Sequence, residues 1–139
     1  MTAMAIGSLH AMKRVLIIDD LDDTLCYLRA VLEGHGHAVE EAPNGGAALA
    51  RMKQSPPDLI ISDLMMPVMD GYTLCQTCKS DPSLRHIPFV FYTAAYADKK
   101  AEQLALNLGA DAFIIKPLHP DQLAARIEAL LAEGTQPST

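Results

Sequence analysis

The sequence has no apolar run approaching the ~20 residues that a membrane-spanning helix requires. Its first twelve residues, Met1 to Met12, carry neither a basic n-region nor a long apolar segment, so a secretory signal is not expected. Cysteine is scarce: three residues, an odd number, give no disulfide framework and fit a reducing, cytoplasmic setting. Basic residues are also in deficit. Eleven Lys and Arg stand against 17 Asp and Glu, a net charge of −6, which argues against direct nucleic-acid binding through phosphate neutralisation. Low-complexity segments and internal repeats are absent. With 139 residues the length prior is one domain. Leu, Ile, Val and Phe make up about a quarter of the chain, above the roughly one-fifth typical of disordered sequences. A chain of this size buries enough surface to fold without a structural metal or disulfide.

Four apolar runs are continuous rather than alternating: Val15–Ile18, Leu59–Ile61, Phe89–Phe91 and Phe113–Ile115. Strands buried on both faces read this way, and they belong to parallel sheets covered by helices. His37–Ala42 is more polar and suits an edge strand. Between the runs lie helical segments: one capped by Asp22 or Asp23 and stopped at Gly34, one over Ala47–Lys53, one opened by Asp70-Gly71, one opened by Asp98 and ending at Gly109, and one begun at Pro120-Asp121 and ending at Gly134. Five strand–helix repeats with short connections predict an α/β fold.

Polar residues interrupt the pattern at the C-terminal ends of the strands: Asp19 and Asp20 after the first, Asp63 after the third, Thr93 after the fourth, Lys116 after the fifth. Open α/β sheets bind their ligands outside those ends, and the common order 2-1-3-4-5 sets strands 1 and 3 side by side. Three carboxylates then converge beside one hydroxyl and one ammonium. Like charges that close force a proton onto one carboxylate unless a cation intervenes, and a hard divalent ion, Mg²⁺ by preference, suits oxygen ligands.

The segments Val-Leu-Ile-Ile-Asp-Asp (15–20), Asp-Leu-Met-Met-Pro-Val-Met-Asp-Gly (63–71), Tyr-Thr-Ala (92–94) and Gly-Ala-Asp-Ala-Phe-Ile-Ile-Lys-Pro (109–117) make the chain resemble the receiver domain of two-component response regulators, from about Lys13 to Glu133. The resemblance implies a flavodoxin-like doubly wound sandwich, with a five-stranded parallel sheet ordered 2-1-3-4-5 and five helices. Residues 1–12 would be a flexible extension and 134–139 a tail or linker stump. It implies that Asp63 is the phosphoacceptor and that Asp20, Asp63 and the backbone carbonyl of Met65 ligate Mg²⁺, with Asp19 acting through a metal-bound water. Lys116 and Thr93 would contact the phosphoryl oxygens, Thr93 and Phe113 would form the switch, and the Lys116–Pro117 bond would be cis, turning the lysine amine toward the acids. The implied protein is a phosphorelay switch rather than an enzyme, one that assists its own phosphorylation and dephosphorylation. Its implied donors are a sensor histidine kinase or a histidine phosphotransfer protein. An effector or second copy would meet the face made by the fourth helix, fifth strand and fifth helix. Neither nucleic acid nor membrane is an expected direct partner.

Other readings fare worse. Asp20-Leu21-Asp22-Asp23-Thr24 spells Asp-x-Asp-x-Thr, similar to the opening of haloacid-dehalogenase-type phosphatases with Asp20 as nucleophile and Asp22 as general acid. That reading lacks a later acidic pair for Mg²⁺ and leaves Asp63 unexplained. A flavodoxin would need a phosphate cradle where Asp20, Asp22 and Asp23 repel phosphate. A non-catalytic docking module of the same fold predicts loss of a site residue, and all five are present. Cys75-Gln76-Thr77-Cys78 matches CxxC, yet lies inside a helix at apolar positions and reads as buried free thiols. His35 and His37 are expected in solvent, and Met65, Met66 and Met69 in loop packing. Three departures from the family pattern are Phe113 in place of the frequent Tyr, His119 in place of a capping Asp, and apolar or small Met65 and Ala95 two residues beyond Asp63 and Thr93.

Overall fold

The computed structural model describes residues 12–94 and 98–134. Ala95, the N-terminal residues 1–11 and the tail 135–139 lie outside the described residues. Strands and helices alternate: β1 (Arg14–Ile18), α1 (Asp22–Gly34), β2 (Ala38–Ala42), α2 (Gly45–Gln54), β3 (Leu59–Ser62), α3 (Gly71–Ser80), β4 (Phe89–Thr93), α4 (Lys99–Asn107), β5 (Ala112–Ile115) and α5 (Pro120–Gly134). The five strands form one parallel sheet in the order β2-β1-β3-β4-β5. This is the flavodoxin-like arrangement that the apolar runs and the family resemblance imply.

The continuous runs are continuous because each strand faces two cores. Val15 and Ile17 of β1 join Leu28, Val31, Leu123 and Ile127 on the α1/α5 side. Leu16 and Ile18 join Met52, Leu74, Phe89 and Phe91 on the side of α2, α3 and α4. The strand β2 is an edge, and four of its five residues are only partly buried.

Helix ends follow local chemistry, with some departures from expectation. Asn44, Asp70 and Asp98 cap α2, α3 and α4 by accepting from the N–H groups of Ala47, Thr73 and Ala101. Asp22 and Asp23 do not cap α1; they occupy its first turn, where their charge favours the helix N-terminus, and Leu21 stands at the cap without a side-chain bond. Helix α2 begins at Gly45, two residues ahead of the expected Ala47. Helices α1 and α4 end in matched motifs. Gly36 (φ +87°) and Gly109 (φ +108°) adopt the left-handed conformation, and His37 and Ala110 donate back to Leu32 and Ala105. Helix α1 thus ends at Gly34 as expected, and the left-handed glycine that closes the motif is Gly36, two residues beyond. At α5 the His119 ring accepts from the Asp121 N–H at 3.4 Å, a long and correspondingly weak substitute for a carboxylate cap.

Candidate functional site

At the C-terminal edge of the sheet, Asp63 follows β3 and Asp19 follows β1, with the Asp63 N–H donating to the Ile18 carbonyl at 3.0 Å. The side chains of Asp19, Asp20 and Asp63 each bring a carboxylate oxygen within 4.8 Å of the others. Asp19 and Asp63 are buried, while Asp20 is exposed at the rim. Burial pushes the Asp19 carboxyl above its ordinary value. The Leu21 N–H at 2.9 Å and the Lys116 ammonium oppose that rise, and the charge of Asp63 adds to it. One oxygen of Asp63 is engaged, Oδ1 accepting from the Leu64 N–H at 2.7 Å. Its Oδ2 accepts no hydrogen bond among the described residues and faces Lys116 Nζ at 3.7 Å.

Lys116 directly follows β5, where continued pairing draws its N–H onto the Thr93 carbonyl at 2.6 Å. Its ammonium donates to Asp19 Oδ2 at 3.0 Å and to Thr24 Oγ1 at 3.3 Å, and lies 5.8 Å from the centre of the Tyr92 ring. The Lys116–Pro117 peptide is cis. Beyond it, the Tyr27 hydroxyl donates to the Leu118 carbonyl at 2.6 Å and the Leu118 N–H donates to the Tyr92 hydroxyl at 3.3 Å, so α1 and β4 both grip the chain just past the lysine.

Thr93 is fully buried, and its hydroxyl oxygen has no hydrogen-bond partner among the described residues. A buried hydroxyl without a hydrogen bond costs about 1–3 kcal/mol, so a partner that reached it would be favoured. Phe113 lies half-buried on β5 beside the core, its ring tilted against Phe91 at 6.2 Å. Met65 sits in the loop after Asp63 with its side chain 61% exposed, whereas Met66 and Met69 pack on the core.

Two further features shape that loop. A side chain on Gly71 would place its Cβ 2.3 Å from the Asp63 carbonyl oxygen and 2.7 Å from Phe91. The Gly71 N–H also donates to the Leu64 carbonyl at 2.8 Å, which ties the start of α3 against the backbone of the site. Val68 has φ 73°, and the Met69 N–H reaches back to the Pro67 carbonyl at 2.8 Å, the strained form of γ-turn.

The three carboxylates, opposed by one ammonium, form a hard-oxygen donor set that could hold a divalent cation. Asp22, the general acid of the phosphatase reading, is exposed in the first turn of α1 and takes no part in this cluster. The CxxC cysteines are buried in α3, with burial pushing their thiols up to about 11 for Cys75 and about 12 for Cys78; thiols held that strongly protonated are poor nucleophiles. Cys26 is exposed instead of packed. His35 is exposed, but His37 is buried, its ring meeting the Glu128 carboxylate.

Comparison with known proteins bears on the same residues. A family model described as the response regulator receiver domain matches residues 15–128. The chain is 39% identical over 118 residues to the response regulator PleD of Caulobacter vibrioides, covering 84% of this chain and 26% of PleD. It is 33% identical to the protein PilH of Pseudomonas aeruginosa, covering 87% of this chain and 99% of PilH. The crystal structure of the signal receiver domain of a signal transduction histidine kinase from Syntrophus aciditrophicus superposes with a TM-score of 0.83 at 36% identity, over 91% of this chain and 96% of that one. The chain thus spans about a quarter of PleD but nearly all of PilH.

Proposed function

We propose a function from one premise: the chain belongs to the response regulator receiver domain family. Asp63 is the phosphoacceptor of a two-component phosphorelay. The observation that carries this reading is its Oδ2, which accepts no hydrogen bond among the described residues and stands at a strand end 3.7 Å from the Lys116 ammonium. A carboxylate is already ionised at neutral pH and needs no general base. An Oδ2 lone pair forms the new P–O bond as the P–N bond to a phosphohistidine donor breaks. The electron pair leaves with the imidazole, which takes up a proton. Lys116 stabilises charge on the phosphoryl oxygens, and Thr93 supplies the hydroxyl that otherwise stays unpaired. Mg²⁺ would be held by Asp20, Asp63 and the Met65 carbonyl, with Asp19 acting through a water, and when bound it supplies neutralisation of the carboxylate cluster and of the phosphoryl charge. Hydrolysis by water returns Asp63 and inorganic phosphate. The fold therefore acts as a switch that assists its own phosphorylation and dephosphorylation.

The donor is a sensor histidine kinase or a histidine phosphotransfer protein. Phosphorylation adds about two negative charges beside Thr93. Its hydroxyl turns toward them, Phe113 swings inward, and the face of α4, β5 and α5 presents a changed surface to an effector or second copy. Residues 13–133 are the receiver proper, flanked by an extension and a tail. The test is incubation with acetyl phosphate and Mg²⁺ followed by intact-mass measurement: one phosphoryl adduct is expected, lost with EDTA and in Asp63→Asn. Adduct formation that survives in Asp63→Asn and is lost in Asp22→Asn would favour the phosphatase reading. NMR of Thr93 and Phe113 with and without beryllofluoride follows the switch, and unchanged signals on binding would rule it out.

A further inference from the structure

We propose that Thr24 is a positioning residue for Lys116; this rests on the phosphoacceptor reading of Asp63. An ammonium has three N–H bonds to place. One goes to Asp19 Oδ2 at 3.0 Å and a second to Thr24 Oγ1 at 3.3 Å. Asp19 is itself fixed, its other oxygen accepting from the Leu21 N–H, so the first acceptor cannot follow the lysine if it moves. The backbone end of the lysine is fixed too, by the Thr93 carbonyl and by the hydrogen bonds of Tyr27 and Tyr92 to Leu118. What remains free is rotation of the aliphatic stem about the Asp19 contact, and the Thr24 hydroxyl is the second acceptor that limits it.

The consequence concerns Asp63. With two protons committed, Nζ stands 3.7 Å from Asp63 Oδ2, an ion-pair distance but too long for a hydrogen bond. The attacking oxygen keeps its lone pairs, while the third N–H remains available to the incoming phosphoryl group. Without the Thr24 hydroxyl the ammonium swings onto Oδ2 and occupies the nucleophile it should assist. The threonine of the Asp-x-Asp-x-Thr string thereby gains a role in this fold. It acts through Lys116 and touches no reacting atom.

The test uses the full chain with Mg²⁺ and two variants, Thr24→Val, which keeps the shape and drops the hydroxyl, and Thr24→Ser, which keeps the hydroxyl. Acetyl phosphate labelling of Thr24→Val should slow about three- to tenfold, the rate equivalent of one hydrogen bond, and Thr24→Ser should return to within about twofold of wild type. Melting temperatures of all three should agree. The ¹⁵N-lysine spectrum of the unphosphorylated protein supplies a readout that general packing would not move: the Lys116 ammonium signal should shift in Thr24→Val and be restored in Thr24→Ser. Wild-type labelling rates and an unshifted ammonium signal in Thr24→Val would overturn the proposal, as would a serine variant as slow as the valine one. If the wild-type chain takes no phosphoryl group on Asp63, the phosphoacceptor reading falls, and the ammonium spectrum alone decides whether Thr24 holds Lys116.

Discussion

Replacing Gly71 by alanine should damage both the stability of the fold and the site. The new Cβ would stand 2.3 Å from the Asp63 carbonyl oxygen, 2.7 Å from Phe91 Cε1 and 2.9 Å from Leu64 Cα. Comfortable carbon contacts begin at about 3.5 Å, so all three are well inside repulsion. Two of those atoms are backbone and cannot rotate away, and Phe91 is fully buried against Phe89 and Phe113. Overpacking costs about 1–3 kcal/mol in ordinary cores, and a clash with fixed backbone belongs at the upper end. Alanine's better helix propensity returns at most about 1 kcal/mol. The net expectation is a loss of about 2 kcal/mol, or about 8 °C in melting temperature for a domain of this size. The matched control is Gly34→Ala in the last turn of α1, where a Cβ meets nothing within 4 Å; it should be neutral or gain up to about 1 kcal/mol. Urea denaturation of the three proteins measures both changes. Because the displaced atom is the carbonyl of Asp63, acetyl phosphate labelling should fall in Gly71→Ala and not in Gly34→Ala. A Gly71→Ala protein within about 0.5 kcal/mol of wild type, the usual range of surface substitutions, would refute the reasoning.

The buried thiols predict a pH dependence. Their pKa values rise from 9.0 to about 11 for Cys75 and about 12 for Cys78, so above pH 9 the unfolded state loses protons that the folded state keeps. Stability is therefore untouched below pH 9 and falls as pH rises from 9 toward 11, by up to about 1.4 kcal/mol per pH unit for each thiol. Denaturation at stepped pH should show this decline and lose it in a Cys75→Ala/Cys78→Ala protein. A thiol reagent at pH 8 should modify Cys26 alone in the native protein and all three cysteines in urea; rapid native labelling of Cys75 or Cys78 would contradict their burial. At Val68, a β-branched residue at φ 73°, Val68→Asn should stabilise by about 1 kcal/mol, because asparagine tolerates the left-handed region. An unchanged or lowered urea midpoint would show that the loop carries no such strain.

Legibility in the sequence tracked the range of the forces involved. The strands could be read because each is apolar on both faces, a pattern that few other elements share, and the site because charged residues stood where those runs ended. Helix boundaries were read less well. Asp22 and Asp23 look like caps, yet the chain enters α1 with Leu21 at the cap, while Asp19 takes the Leu21 N–H and faces the site. Leu104 and Leu106 promise an apolar face for α4 but stand exposed, and Ala105 between them fills the core instead. His37 reads as a turn residue and is buried because Glu128, 91 positions later, comes to meet it. The contacts of Thr24, Tyr27 and Tyr92 are not legible in the sequence for the same reason: each acts on the end of β5 or the loop beyond it, a relation set by long-range packing. Gly71 had a visible signal in Asp-Gly, but only the approach of the Asp63 carbonyl explains why a side chain is excluded.

The two-faced burial of β1 has a consequence for how the sheet finds its alignment. In a half-buried strand, sliding by one residue would throw apolar side chains into water, and that penalty alone selects the correct pairing. Sliding β1 by one exchanges Val15 and Ile17 with Leu16 and Ile18, one set of aliphatic residues for another, so hydrophobicity scarcely discriminates. The penalty comes at the strand's end. A slip in one direction carries Asp19 into the slot of Ile18, away from the Leu21 N–H and the Lys116 ammonium; a slip in the other draws Ile18 out among the acids. The residues that make the site chemically useful thus also serve as the key that locks the strands in phase, and neutralising Asp19 should loosen alignment as well as phosphotransfer.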